Sequence, residues 1–392
     1  MIIASAKKFF IRIVEMSGIH VTMIVLTFLF ISAFSFFDYD TEPKPLHHSE
    51  ANNNIEHVVL ITIDGLRWQE LFYGADSLLI GHEDYVRNAE QLREDFWHDN
   101  SVERRKKLLP FFWNTIAVDG QIYGNRKLGN NMDLTNEYRF SYPGYSELLV
   151  GYADPNMDSN AKRWNPNVTV LEFIHNQPGF EGRVAAFASW DVFPWIINSE
   201  RSGIPVNAGF DPFEGENLSD RQLLLNDMLR QIPRPWSSVR HNAFTFHYAM
   251  EYLKQNHPRL IYLAFDETDE FAHSGNFQDY LYSARQFDAF VEEFWLTLQN
   301  DERFRDKTAL VIATDHGRGT DPLDHWRHHG ANIDGAEEVW MAVIGPGIPA
   351  LGEVSEPMQL YQNQIAATVA ALLGITYESD LPIGSKLDLG SH

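Results

Sequence analysis

Five short apolar runs recur along the chain, four of them closed by Asp or Gly. They are His57-Val-Val-Leu-Ile-Thr-Ile-Asp64, Arg183-Val-Ala-Ala-Phe-Ala188, Leu260-Ile-Tyr-Leu-Ala-Phe-Asp266, Ala309-Leu-Val-Ile-Ala-Thr-Asp315 and Val339-Trp-Met-Ala-Val-Ile-Gly345. Unbroken rather than alternating hydrophobicity over this length predicts strands covered on both faces, as in parallel sheets. Helix-length patterns stand at Pro110–Val118, Val168–Asn176, Phe244–Gln255, Tyr280–Leu298 and Gln364–Leu373. Strands alternating with helices predict an α/β fold, a mostly parallel central sheet with helices on both faces. No internal repeat and no low-complexity tract interrupts the pattern.

A different pattern precedes the first strand. Lys7, Lys8 and Arg12 come before the apolar run Val21–Phe37, about 17 residues long, at the short end for a membrane span and above a usual signal-peptide core. The expected organisation is a signal peptide or N-terminal membrane anchor over residues 1–40, a linker over 41–54 carrying Pro43 and Pro45, and one catalytic domain over 55–392. Basic residues ahead of the apolar run favour a cytoplasmic N-terminus and a translocated remainder. The domain is therefore expected outside the cytoplasm, periplasmic or secreted, with the membrane as a partner through the N-terminal segment.

Charge and composition narrow the chemistry. The formal net charge is -23, from 31 basic and 54 acidic residues, which argues against a nucleic-acid-binding surface. An anionic substrate would be repelled by that overall field, so its attraction must be local, as bound divalent cations supply. The chain has no cysteine, leaving histidine and carboxylate as the strong metal ligands.

Several predicted strands end in Asp. Ligand sites of open α/β sheets lie beyond the carboxyl ends of the strands, so Asp64, Asp266 or Asp269, and Asp315 are expected to converge. Thr314-Asp315-His316-Gly317 is followed by His325, His328 and His329, and Asp269 and His273 stand four apart, one helical turn. Asp64, Asp269, His273, Asp315, His316 and His329 together supply enough nitrogen and oxygen ligands for two tetrahedral metals with exchangeable positions. The mixture of imidazole and carboxylate favours zinc. Ser141, in Asn136-Glu-Tyr-Arg-Phe-Ser141-Tyr-Pro-Gly144-Tyr145, precedes a short helical stretch, where a hydroxyl can meet an anion at a helix N-terminus.

These residues resemble the alkaline phosphatase superfamily, especially its nucleotide pyrophosphatase/phosphodiesterase-like branch, from Ile55 to about Thr376. The resemblance implies that Asp64, Asp315 and His316 hold one zinc and that Asp269, His273 and His329 hold the other. It places Ser141 where that branch has its threonine nucleophile, and implies in-line attack with a covalent phospho-enzyme on a small phosphorylated substrate. Two departures bear on the substrate. Diesterases of this kind carry an Asn where this chain has Gly144, with Asn125, Asn130 and Asn131 as candidate replacements, and sulfatases carry an Arg where it has Tyr145. The candidate substrate-binding residues are Asn130, Gly144, Tyr145, Lys162 and Arg163; Arg126, Lys127 and Arg139 are further basic residues near Ser141 in sequence. The aromatic segment Trp190–Trp195 is expected in the core. The expected activity is hydrolysis of phosphate mono- or diesters. The alternatives are a phosphoryl-group transferase or mutase-like enzyme, a sulfatase-like enzyme, and a non-catalytic metal-stabilised binding module.

Overall fold

A computed structural model of the protein describes residues 55–390. The expected signal or anchor (1–40) and linker (41–54) lie outside the described residues. Among those described, no helix is long and apolar enough to cross a membrane.

The strands are β1 (His57–Ile63), β2 (Gln121–Tyr123), β3 (Asn130–Asp133), β4 (Val184–Ala188), β5 (Val206–Ala208), β6 (Leu260–Phe265), β7 (Thr308–Thr314), β8 (Met341–Ile344), β9 (Gly352–Glu353) and β10 (Met358–Tyr361). Eight form one sheet in the order β5-β4-β6-β1-β7-β8-β2-β9, and β10 pairs with β3 separately. The pairings from β5 to β7 are parallel, whereas β8 runs antiparallel to both β7 and β2. The sheet is thus mostly parallel, as its hydrophobic runs predict. The run Val339–Gly345 does form a strand, but hydropathy carries no direction, and this strand is reversed.

Alternate residues of each central strand build two cores. Val59, Ile61 and Ile63 of β1, Ile261, Leu263 and Phe265 of β6, and Leu310 and Ile312 of β7 pack with Phe112, Phe246 and Phe287 on one face. Val58 and Leu60, with Tyr262, Val311 and Ala313, pack with Tyr142, Tyr145, Leu148 and Val369 on the other. That period of two is the pleat of a strand. Every residue of β1, β6 and β7 is buried, which is why those segments read as unbroken apolar runs.

The helices Asn242–Asn256 and Phe277–Asn300 pack on the first face, and Ser141–Val150 and Gln364–Leu372 on the second. The helix expected at Pro110–Val118 is a π-helical turn, Phe112–Ile116, running into one short α-turn. The backbone N–H groups of Phe111 and Phe112 are held by the buried carboxylate of Asp288, a tertiary contact that hydropathy does not report.

Candidate active site

The sheet register brings the acidic strand ends level. Ile63 pairs with both Phe265 and Thr314, so the next residues, Asp64, Asp266 and Asp315, leave the sheet at one height. Gly65 adopts a positive φ of 59°, and its N–H donates to Asp315 Oδ1 at 3.1 Å. Beyond β6 the helix Glu267–His273 carries Asp269 and His273. His329 arrives from the long connection between β7 and β8.

Two groups of atoms that could hold a metal ion result, each within 4.8 Å: Asp64, Asp315 and His316, and Asp269, His316 and His329. His316 belongs to both. Its Nε2 lies 3.2 Å from Asp64 Oδ1, 3.6 Å from Asp315 Oδ2 and 3.8 Å from Asp269 Oδ1. Its Nδ1 donates to the Gly317 carbonyl at 2.9 Å, which fixes Nε2 as the atom that faces the cluster. His273 Nε2 stands 2.9 Å from His329 Nε2 and 3.2 Å from Asp269 Oδ2. The His316 and His329 rings stack at 4.0 Å.

The electrostatics match a cation-binding cluster. Asp64 Oδ1 and Asp315 Oδ2 are buried without a hydrogen-bond partner, a costly arrangement unless a positive charge faces them. Burial, reinforced by Asp64, raises the Asp315 carboxyl well above its ordinary range, and burial together with Asp64 does the same to Asp266. Burial works against a charged His316, but the Asp315 and Asp64 carboxylates outweigh it and raise the ring to about 9. A divalent cation would take the place of that proton. Burial, then the neighbouring His316, lowers both His273 and His329, keeping them as neutral imidazoles suited to ligation.

Ser141 opens the helix Ser141–Val150, every residue of which is buried. Its Oγ lies 3.4 Å from His316 Nε2, beside the residue common to the two groups. The approach is braced from within the same segment. The buried Glu147 carboxylate accepts from the backbone and side chains of Thr135 and Asn136. Asn136 Oδ1 in turn accepts from the N–H groups of Tyr138 and Arg139, and Arg139 takes a positive φ of 55° just before the helix.

Each residue expected to bind substrate packs against or pairs with another part of the protein. A Cβ on Gly144 would come within 2.5 Å of the Asp315 carbonyl oxygen, so glycine there lets the Ser141 helix press against a strand end, and a side chain such as Asn has no room. Tyr145 is fully buried, and its hydroxyl bonds Asp64 Oδ2 at 3.1 Å, bracing that carboxylate. Asn130 spends its side chain on Gly124 N–H and the Glu356 carbonyl, joining β3 to the chain around it. Lys162 pairs with Asp191, and Arg163 with Asp158. Trp190 is buried as expected, whereas Trp195 is half-exposed and stacks on Trp164 at 5.3 Å.

Two residues at the site escaped the sequence reading. Asn160 Oδ1 accepts from the backbone N–H of Tyr142 at 3.0 Å, next to Ser141, and no local pattern marks it. Arg318, one residue past Asp-His-Gly, is fully buried against Asp269; its place in that motif was the available signal.

No family model and no curated protein matches this chain. Solved structures share its architecture at low identity. A four-substitution variant of the alkaline phosphatase PafA matches with a TM-score of 0.55 at 10% identity, covering 86% of this chain and 99% of that one. The lipoteichoic acid synthase LtaP from Listeria monocytogenes matches with a TM-score of 0.52 at 12% identity, covering 86% and 76%. The phosphonate monoester hydrolase of Agrobacterium radiobacter matches with a TM-score of 0.50 at 14% identity, covering 85% and 76%. The common element is the fold.

Proposed function

We propose that this chain, which has the alkaline phosphatase fold, is a metal-dependent hydrolase of phosphate esters with Ser141 as its nucleophile. The observation that carries the reading is the 3.4 Å approach of Ser141 Oγ to His316 Nε2, at the junction of the two Asp/His groups. Asp64, Asp315 and His316 would hold one divalent cation, and Asp269, His273 and His329 the other, with zinc favoured by the imidazole content. Bound there, such ions supply positive charge that lowers the pKa of a hydroxyl and neutralises phosphoryl oxygens.

Ser141 Oγ releases its proton to solvent and attacks phosphorus in line; the new O–P bond forms as the bond to the leaving oxygen breaks, and that oxygen leaves as an alcohol after taking a proton from water. Water then cleaves the seryl phosphate and restores the hydroxyl. The Tyr142 N–H, at the helix N-terminus, offers a donor to a phosphoryl oxygen, which would displace Asn160 Oδ1 from it. Arg126, Arg139, Lys162 and Arg163 each already have a carboxylate partner. That pairing supports a diester, which carries one anionic oxygen fewer than a monoester. The basic and then apolar character of residues 1–40 supports a domain held outside the cytoplasm.

The test is metal analysis with assays on p-nitrophenyl phosphate, its bis-ester and its sulfate. We expect bound zinc, cleavage of the phosphates with the bis-ester preferred, and a loss of at least about a thousandfold in Ser141→Ala with zinc retained. Cleavage of the sulfate alone, or undiminished turnover in Ser141→Ala, would overturn the reading.

A further inference from the structure

Arg318 is among the largest fully buried side chains of the protein. Its Nε donates to the Gly65 carbonyl at 3.1 Å, its Nη1 to the Arg327 carbonyl at 2.7 Å, and its Nη2 to the Asp269 carboxylate. All three nitrogens of the fork are thus given to protein acceptors. The surroundings are shaped to admit it: a Cβ on Gly65 would lie 2.8 Å from Arg318 Nε. A buried guanidinium is expensive unless its donors are satisfied, so a fork this fully engaged marks a fixed structural part rather than a hand reaching for substrate.

What the fork joins is specific. Gly65 follows Asp64, Arg327 precedes His329 by two residues, and Asp269 is gripped directly through Oδ1. The second carboxylate oxygen, Oδ2, is left 3.2 Å from His273 Nε2. Arg327 closes the circuit by donating to the His273 carbonyl at 3.2 Å. The segments that follow two paired strands, β1 and β6, are therefore tied to the loop that carries His329 by one side chain.

We infer that Arg318 is the positioning residue of the Asp269/His273/His329 half of the site. It orients the Asp269 carboxylate towards the two histidines and fixes the loop that delivers His329, while the Asp64/Asp315/His316 half is held by the sheet. The inference rests on the metal-binding reading proposed above.

The experiment uses the full chain, stripped and titrated with Zn2+ against a chromophoric chelator, with thermal melts alongside. Wild type takes up two zinc ions. In Arg318→Met the affinity of one falls by about 10- to 100-fold, the usual cost of losing a residue that orients a ligand, and the other is unchanged. Arg318→Lys, which keeps the charge but not the three-way fork, also weakens that one zinc. Where Arg318→Met melts out, Arg318→Lys decides. Two zinc ions bound at wild-type affinity in both variants, or one bound more tightly because a repelling charge has gone, overturns the inference and leaves the hydrolase reading standing. A wild-type chain that takes up no zinc overturns both.

Discussion

The two halves of the site are built on different principles. Asp64, Asp315 and His316 sit on adjacent parallel strand ends with side chains no more than 1% exposed, and ladder hydrogen bonds fix their spacing. Asp269 and His273 ride on a seven-residue helix, and His329 on a loop; the His273 side chain is 44% exposed. One half is positioned by backbone, the other by side chains such as Arg318. Ligand atoms on regular elements hold their geometry more tightly than those on loops. The first half should therefore set the affinity of the centre, and the second should tolerate loss of a ligand better.

The sharpest way to break that comparison is to delete one ligand from each half. Asp315→Ala removes a buried carboxylate that neither water nor a neighbour can replace, so zinc affinity there should fall by more than about 100-fold, beyond the range for residues that only orient ligands. His273→Ala removes an exposed proposed ligand whose place water can take, and zinc there should weaken by roughly tenfold, with turnover falling in parallel. Chelator competition measures both. Equal losses would mean that burial and strand geometry do not distinguish the halves.

The same division explains what the sequence could disclose. β1, β6 and β7 were legible because burial on both faces leaves an unbroken apolar run, and their terminal acids were legible because each run ends in Asp. The Asp269/His273 pair was legible as one helical turn. What the sequence does not disclose are contacts made by chain far away. Gly144 and Tyr145 look like ligand-facing positions until Asp315 and Asp64 are packed against them, and Lys162 and Arg163 look free until Asp191 and Asp158 pair with them. Asn160 has no local signature at all, because its partner is a backbone N–H in another segment.

Gly144 tests how closely Ser141, the proposed nucleophile, is coupled to the backbone-held half. Its missing side chain lets the Ser141 helix meet the Asp315 carbonyl, where a Cβ would come within 2.5 Å of backbone oxygen. Backbone cannot rotate aside as a side chain can, so Gly144→Ala must push the helix outward. We expect a loss of about 1–3 kcal/mol in stability from overpacking, and a larger proportional drop in kcat than in zinc affinity, since Ser141 moves while the strand ends stay. A variant with wild-type melting and turnover would show the helix free to shift, and the two parts uncoupled.

A buried carboxylate on the opposite face of the sheet supplies the control for what Asp315 does without a cation. Asp288 is 1% exposed and accepts the N–H groups of Phe111 and Phe112 at 2.8 and 3.0 Å, yet burial outweighs those bonds and raises its carboxyl to about 7. An unfolded Asp titrates near 3.9. Between pH 4 and 7 the folded chain therefore keeps a proton that the unfolded chain has released, and stability falls as pH rises through that window, by a few kcal/mol at most. Asp288→Asn imitates the protonated acid at every pH. Its melting temperature should equal that of wild type at about pH 4 and below, exceed it increasingly up to about pH 7 and by a constant margin above that, and the difference between the two melts cancels every other titrating group. A difference that stays flat with pH would show Asp288 ionised throughout, held by its two N–H donors alone. A buried carboxylate would then need no cation to stay charged, and the case for metal at Asp315 would rest on geometry rather than on charge.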